Sequence, residues 1–217
     1  MKKIMFSDKY GLTKAVLEGR KTQTRRIVSD SLIDEYDNWL DDVMCIAVPA
    51  GTIYEKIEDF LLKRSRYVVG EIVAVAQSYE DISNIISKTP SKERAEFYCK
   101  IMKSCYPKDE VARDKHEIAG WNNKMFVKPE LMLHFIRITN VRIERLQDIS
   151  DEDCLAEGVI KWDTGQPDVP FFTYPNAVKC DYDTPRDAYA SLIDKVGKKG
   201  DWESNPYVLV YDFKLVK

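Results

Sequence analysis

LHFIRITNVRIERL, residues 133–146, is the strongest strand signal in the chain. Phe135, Ile136, Ile138, Val141 and Ile143 alternate with arginines and polar residues, the two-residue period of a strand with one face in a core. The alternation breaks near Asn140, where a bulge or turn is expected. Arg137, Arg142 and Arg145 extend a basic face along this strand.

Working outward, Tyr67–Val75 (YVVGEIVAV) reads as a β-branched core strand marked by a turn at Gly70, and Tyr207–Leu215 (YVLVYDFKL) as another. Lys2–Phe6 is a shorter candidate. Ser7 is placed to cap a helix carrying Leu12, Ala15 and Val16 at helical spacing, and Gly19 supplies its stop. Further helices are expected over Leu32–Trp39, Tyr54–Lys63, Lys92–Met102, the DEDCLAE run after Ser150, and Pro185–Lys195. Residues 80–120 are polar, contain Pro90 and Pro107, and read as an insertion packed outside the core and more mobile than it. Strands separated by helices predict one α+β domain over residues 1–217, a small mixed barrel or sheet with helices around it.

Composition bounds the function. At 217 residues the chain is long enough for a real core, and its 44% hydrophobic and 32% charged fractions are those of a globular protein. The formal charge, 33 − 36 = −3, excludes nonspecific duplex binding over the whole surface, so any nucleic-acid contact must come from a local basic patch. No apolar run has the length of a signal peptide or a membrane span, so a cytoplasmic protein without a membrane partner is expected. Five scattered cysteines without a CxxC pair, and two histidines (His116 and His134) outside any ligating pattern, predict structural thiols, no metal site and no cofactor.

Against that acidic background GRKTQTRR, residues 19–26, gathers Arg20, Lys21, Arg25 and Arg26 just after a helix stop. Two readings stand: a solvated basic turn whose threonines make turn hydrogen bonds, or a pocket wall in which neighbouring cations lower a lysine pKa and activate a threonine. In an extended strand Lys21 and Thr24 face opposite sides, so they converge only if the chain bends after Gly19. Downstream, Ser150 with Asp153 forms a capping box, and Asp151, Glu152 and Asp153 suit a helix N-terminus. Glu157 does not. It lies in the last turn before Gly158, where the helix dipole disfavours a carboxylate by roughly 0.3–1 kcal/mol unless a cation faces it. Pairing with Lys21 or Arg26 is the expected remedy.

GRKTQTRR after an N-terminal helix, YVVGEIVAV, VRIERLQDISDEDCLAEGV and PRDAYASLIDKVGKKGDWESNPYVLVYDFKLV occur in that order and cover about half the chain. Together they resemble the ASCH domain superfamily, especially its longer phage and prophage versions. The resemblance implies a PUA-like mixed β-barrel with surrounding helices, and leaves about 28–66 and 80–125 as insertions. It also implies a protein that binds RNA or a modified nucleotide in a basic pocket, with Arg20, Arg25, Arg26 and Gln77 as ligand contacts. One branch of the superfamily removes the acetyl group from acetylated cytidine nucleosides. Carried over from it are Thr24 as nucleophile, Lys21 as base and Glu157 as orienting or acid group, so an amidohydrolase is the alternative. A phage interaction protein using only the insertions is a third.

Relatives commonly continue the strand after Gly70 into an Arg-Glu pair. Here Ala76 and Gln77 stand instead, and Gln77 hydrogen-bonds but moves no protons, which favours binding over catalysis. Trp162, Phe171, Phe172, Tyr174, Trp202 and Tyr207 are aromatics that either stack on a base or anchor the core and loops.

Overall fold

Glycine stops and the change from a 3.6- to a 2-residue hydrophobic period divide the chain into short elements. The computed structural model describes residues 1–45, 55–88, 91–105, 119–162, 171–177 and 182–216. In order these form β1 (Lys3–Ile4), α1 (Leu12–Leu17), β2 (Gln23–Ile27), α2 (Asp30–Cys45), α3 (Ile57–Lys63), β3 (Ile72–Val75), α4 (Tyr79–Ile86), α5 (Ser91–Cys105), β4 (Phe135–Arg145), α6 (Asp151–Ala156), β5 (Ile160–Trp162), β6 (Phe171–Thr173), α7 (Pro185–Val196), α8 (Asp201–Ser204) and β7 (Tyr207–Val216). Among the described residues no helix is long and apolar enough to cross a membrane.

The α+β class holds, but the expected PUA-like barrel does not form. The five-stranded sheet runs β1-β3-β4-β7-β2, and β5-β6 is a separate pair. Closure requires the two outermost strands to pair. Here β1 is two residues long and spends its hydrogen bonds on parallel β3, while β2 pairs only with antiparallel β7. Among the described residues the sheet is therefore mixed and open.

The chain divides into two compact units. The first comprises Met1–Phe6, Ile72–Arg137 and Leu215–Lys217. Its β3 lies between β1 (Ile4 opposite Val75) and β4 (Val73 opposite Ile136). Ser78 and Asp81 form a reciprocal capping box that starts α4. The core joins Ala74, Ala76, Tyr79, Ile82, Ile86, Ile101, Val127, Leu131 and Met132. Residues 80–120, read as an external insertion, thus contribute Ile82, Ile86 and Ile101 to it. The prolines at 90 and 107 lie outside the described residues, as do Tyr54, His116 and Cys180.

The second unit comprises Ser7–Glu71 and Ile138–Lys214. Gly11 in left-handed conformation, rather than Ser7, stands at the N-cap of α1. The strand expected from Tyr67 begins only at Ile72, because Gly70 turns the chain at φ +86° and its N–H donates to the Ile138 carbonyl. Conversely, the run read as a basic turn contains a strand: β2 pairs with β7 in the register Gln23–Asp212, Thr24–Tyr211 and Arg25–Val210. β4 runs through Asn140 as one strand.

Candidate functional site

Strand alternation sorts the basic run. Gln23 and Arg25 share one face of β2, and Thr24 and Arg26 the other. On the Gln23 face, β7 presents Asp212 directly opposite, and β4 contributes Asn140, Arg142 and Glu144 at alternate positions. Helix α6 supplies Asp153 and, at its C-cap, Glu157, four residues apart and so on one side of the helix. The chain entering β2 is tied to that end of α6 by the Thr22 N–H donating to the Ala156 carbonyl at 2.9 Å.

The floor of the cluster is a buried ion triad. The Lys21 ammonium donates to Glu157 Oε2 at 2.5 Å and to the Glu157 carbonyl at 2.7 Å. Arg25 Nη1 lies 3.4 Å from Glu157 Oε1. Side-chain exposures of 2%, 5% and 1% for Lys21, Glu157 and Arg25 leave these charges essentially without solvent. Burial pushes the Lys21 ammonium below its ordinary pKa, and Glu157 only partly opposes this, while Arg26 and Arg25 add to it. Burial also pulls Arg25 down, but Glu157, Tyr189, Asp153 and Glu144 outweigh it and hold the guanidinium above the ordinary value. Gly158 ends α6 at φ +107°, a conformation that L side chains rarely adopt, while a Cβ there would meet Leu12 at 3.4 Å and the Lys21 stem at 3.7 Å, ordinary contact distances.

Above the triad lies a polar mouth. Arg25 Nη2 donates to Asp153 at 2.7 Å and to Glu144 at 3.0 Å, and Nη1 also donates to Gln23. The Gln23 amide donates to Asp212 at 2.6 Å and to Asp153 at 3.1 Å. Arg142 bridges Glu144, Asp153 (2.7 Å) and Asp212 (2.7 Å), and Asn140 donates to Asp212 at 3.0 Å. Here Arg142, Glu144, Asp153 and Asp212 side chains are 24–29% exposed, so the cluster meets solvent through them. Burial pushes the Asp153 carboxyl up, but hydrogen bonds from Arg25 and Gln23 and the charges of Arg25 and Arg142 hold it below the ordinary range. Three cations (Lys21, Arg25, Arg142) against four carboxylates (Glu157, Asp153, Glu144, Asp212) give 3 − 4 = −1. This is not a basic pocket.

The predicted residues divide accordingly. Lys21, Arg25 and Glu157 come together. Arg20 turns away to Glu18 at the surface, at 2.8 Å. Arg26 and Thr24 lie on the other face of β2, where Thr24 is buried opposite Tyr211 and has no side-chain hydrogen bond to Lys21 or Glu157. Gln77 belongs to the first unit, where its side-chain oxygen accepts the Leu133 N–H at 2.8 Å. Of the aromatics, Trp202 packs edge-on against Tyr189, Tyr207 lies under Arg145, and Trp162 is exposed. Among the described residues no group of three His, Cys, Asp or Glu is placed to hold a metal ion.

Asp153, Glu144, Asp212 and Tyr189 carry the site but escape a reading of motifs. Asp153 looks like a capping acid, and Ser150 does accept its N–H at 3.2 Å, yet its carboxylate turns into the cluster. The signal for Glu144 was present as a polar residue at every second position of β4 from Asn140 onward. Tyr189, on α7, is fully buried, and among the described residues its hydroxyl has no hydrogen-bond partner. Burial first, then Glu157, pushes that phenol well above its ordinary pKa. Arg25 Nε is likewise buried without a hydrogen-bond partner among the described residues. No family model, curated protein or solved structure matches the chain.

Proposed function

We propose that this is an ASCH-type protein of the cytoplasm whose Lys21–Arg25–Glu157 cluster binds the nucleoside portion of RNA or of a modified nucleotide. The observation that carries the reading is a buried triad of charges beneath a solvent-touching mouth, in a cluster whose charges taken together nearly cancel. Such a lining offers donors and acceptors to the edge of a base while giving a phosphate no excess of positive charge. The resemblance of GRKTQTRR and RLQDIS…AEG to ASCH segments supplies the ligand class. Turnover by Thr24 is disfavoured by its place on the face of β2 opposite Gln23 and Arg25, without a hydrogen bond to the proposed base.

Calorimetric titration with cytidine, N4-acetylcytidine, cytidine monophosphate and a short single-stranded RNA tests the reading. Nucleoside binding that changes little between 50 and 300 mM salt, as expected of a cluster without net phosphate contacts, supports it, together with its loss in Lys21→Met. No binding by any of the four, or undiminished binding by Lys21→Met, overturns it. Deacetylation of N4-acetylcytidine that disappears in Thr24→Val replaces it with the amidohydrolase.

A further inference from the structure

Arg142 is the outermost cation of the cluster, and it sits in a bowl of carboxylates drawn from three elements. Its planar guanidinium donates to Glu144 of β4, to Asp153 of α6 at 2.7 Å and to Asp212 of β7 at 2.7 Å. Its side chain is 29% exposed, against 1% for Arg25 and 2% for Lys21. Arg25 shares two of those carboxylates with it. Asp153 Oδ2 accepts from both guanidiniums at 2.7 Å, and Glu144 takes Arg25 on Oε2 and Arg142 on Oε1. With Arg142 in place, every oxygen of the three carboxylates accepts a hydrogen bond. One donor beside them is left over. Among the described residues Arg25 Nε–H has no partner, and it lies on the guanidinium edge it shares with Nη2, the nitrogen that holds Asp153 and Glu144. Arg142 cannot satisfy it, because a guanidinium has donors only.

We infer that Arg142 is the internal occupant of a receptor for a planar, amidinium-like cation, and that the ligand binds by taking its place. The receptor is Glu144, Asp153 and Asp212, with Arg25 beneath them. Without Arg142 the cluster carries 2 − 4 = −2, so it draws a cation and repels a phosphate or carboxylate. Among the described residues these acids are not placed to hold a metal ion, so the cation must bring directional N–H donors, as Arg142 does. A ligand with an acceptor beside its donors also engages the Nε–H that Arg142 leaves unmade. Cytosine protonated on N3 has that outline: amino and ring N–H donors in one plane, with the ring carbonyl next to them. Uracil puts a carbonyl where the amino group would be, and it would face a carboxylate. The inference rests on the nucleoside reading of this cluster and names which base the mouth selects.

The test titrates cytidine, uridine and millimolar methylguanidinium into the protein and into Arg142→Ala by calorimetry. The parent is expected to bind cytidine about tenfold more tightly than uridine, the scale of one mismatched hydrogen bond, and more tightly still as pH falls from about 7 to about 5.5. Arg142→Ala, freed of its internal competitor, should bind cytidine about tenfold more tightly than the parent, and should take up methylguanidinium saturably where the parent does not. Arg142→Lys keeps the charge without the planar donors and should also bind cytidine more tightly than the parent. Equality there overturns the inference even where the alanine variant fails to fold. Equal affinity for cytidine and uridine, or no methylguanidinium uptake by Arg142→Ala, overturns it while leaving the nucleoside reading intact. Methylguanidinium uptake by Arg142→Ala, with no nucleoside bound by variant or parent, sustains the planar-cation receptor and overturns the nucleoside reading.

Discussion

Replacing Glu157 by Gln keeps the shape of the side chain and removes its charge, leaving Lys21 and Arg25 buried without their shared carboxylate. Their side chains are 2% and 1% exposed, so solvent cannot substitute for it. Breaking a buried pair in this way costs roughly 3–5 kcal/mol, against under about 1 kcal/mol for an exposed one. For a chain of this size that corresponds to a fall in melting temperature of roughly 6–20 °C. Most of the loss falls on Lys21, because Arg25 keeps Asp153 and Glu144. The cost is pH-dependent with a defined sign. Lys21 already sits below its ordinary 10.5 in the folded protein, so the unfolded chain binds more protons and stability rises with pH in that window. Without Glu157 the window widens downward, and the gap between variant and parent shrinks as pH climbs from 7 toward 10. Thermal melts by far-ultraviolet circular dichroism across that range give the comparison. In the double variant Lys21→Met/Glu157→Gln both buried charges are gone, and it should be more stable than Glu157→Gln alone. A single variant within about 2 °C of the parent, or one whose deficit is constant with pH, refutes the buried-pair argument.

Gly158→Ala puts a side chain at φ +107°, and the backbone strain alone is expected to cost roughly 1–3 kcal/mol in chemical denaturation. Ile82→Ala removes a side chain that is 0% exposed in the first unit's core, and should cost roughly 2–5 kcal/mol by the same measurement; a loss below about 1 kcal/mol would return residues 80–120 to the surface. The Asp153 carboxyl is held below its ordinary 3.8, so the stability it confers is complete above that pH and is lost as pH falls through the lower folded value. Asp153→Asn should therefore show a flatter acid limb in melts between about pH 2 and 5, and an unchanged limb would remove Asp153 from the network.

What the sequence yields here depends on how local the physics is. β4 and β7 are legible because their alternation is strong, and α6 because Ser150, the acidic first turn and Gly158 punctuate it. Glu157 is legible for a different reason: a carboxylate at a helix C-terminus is locally wrong, and the partner that corrects it can be sought elsewhere. β2 is the instructive miss. Arg25 and Arg26 mark it as a basic turn, solvated or lining a pocket, and not as a strand, since nothing within eight residues shows that β7 will pair with it or that α6 and β4 will bring carboxylates to it. The open sheet is equally nonlocal, because barrel closure depends on whether the edge strands are long enough and placed to meet. In the 80–120 stretch Ile82, Ile86 and Ile101 are too widely spaced among charges to read as core, and only α4 lying beside α5 gathers them.

The dependence of Arg25 on distant elements also explains why the cluster holds one arrangement. Asp153 and Glu157 are four residues apart, one helical turn, so their carboxylates stand above one another along α6. Asp153 takes Nη2 at 2.7 Å while Glu157 faces Nη1 at 3.4 Å, so successive turns of the helix address the two ends of one guanidinium fork. Glu144 shares Nη2 from β4, and Gln23 ties Nη1 back to β2 itself. A lysine at this position would present one point charge and could not be held by three elements in a plane. The same planarity fixes the direction of Nε–H, the group that remains unpaired. The ion network thus does more than neutralise buried charge: by using both terminal nitrogens for structure, it leaves Nε as the Arg25 donor not committed to the fold.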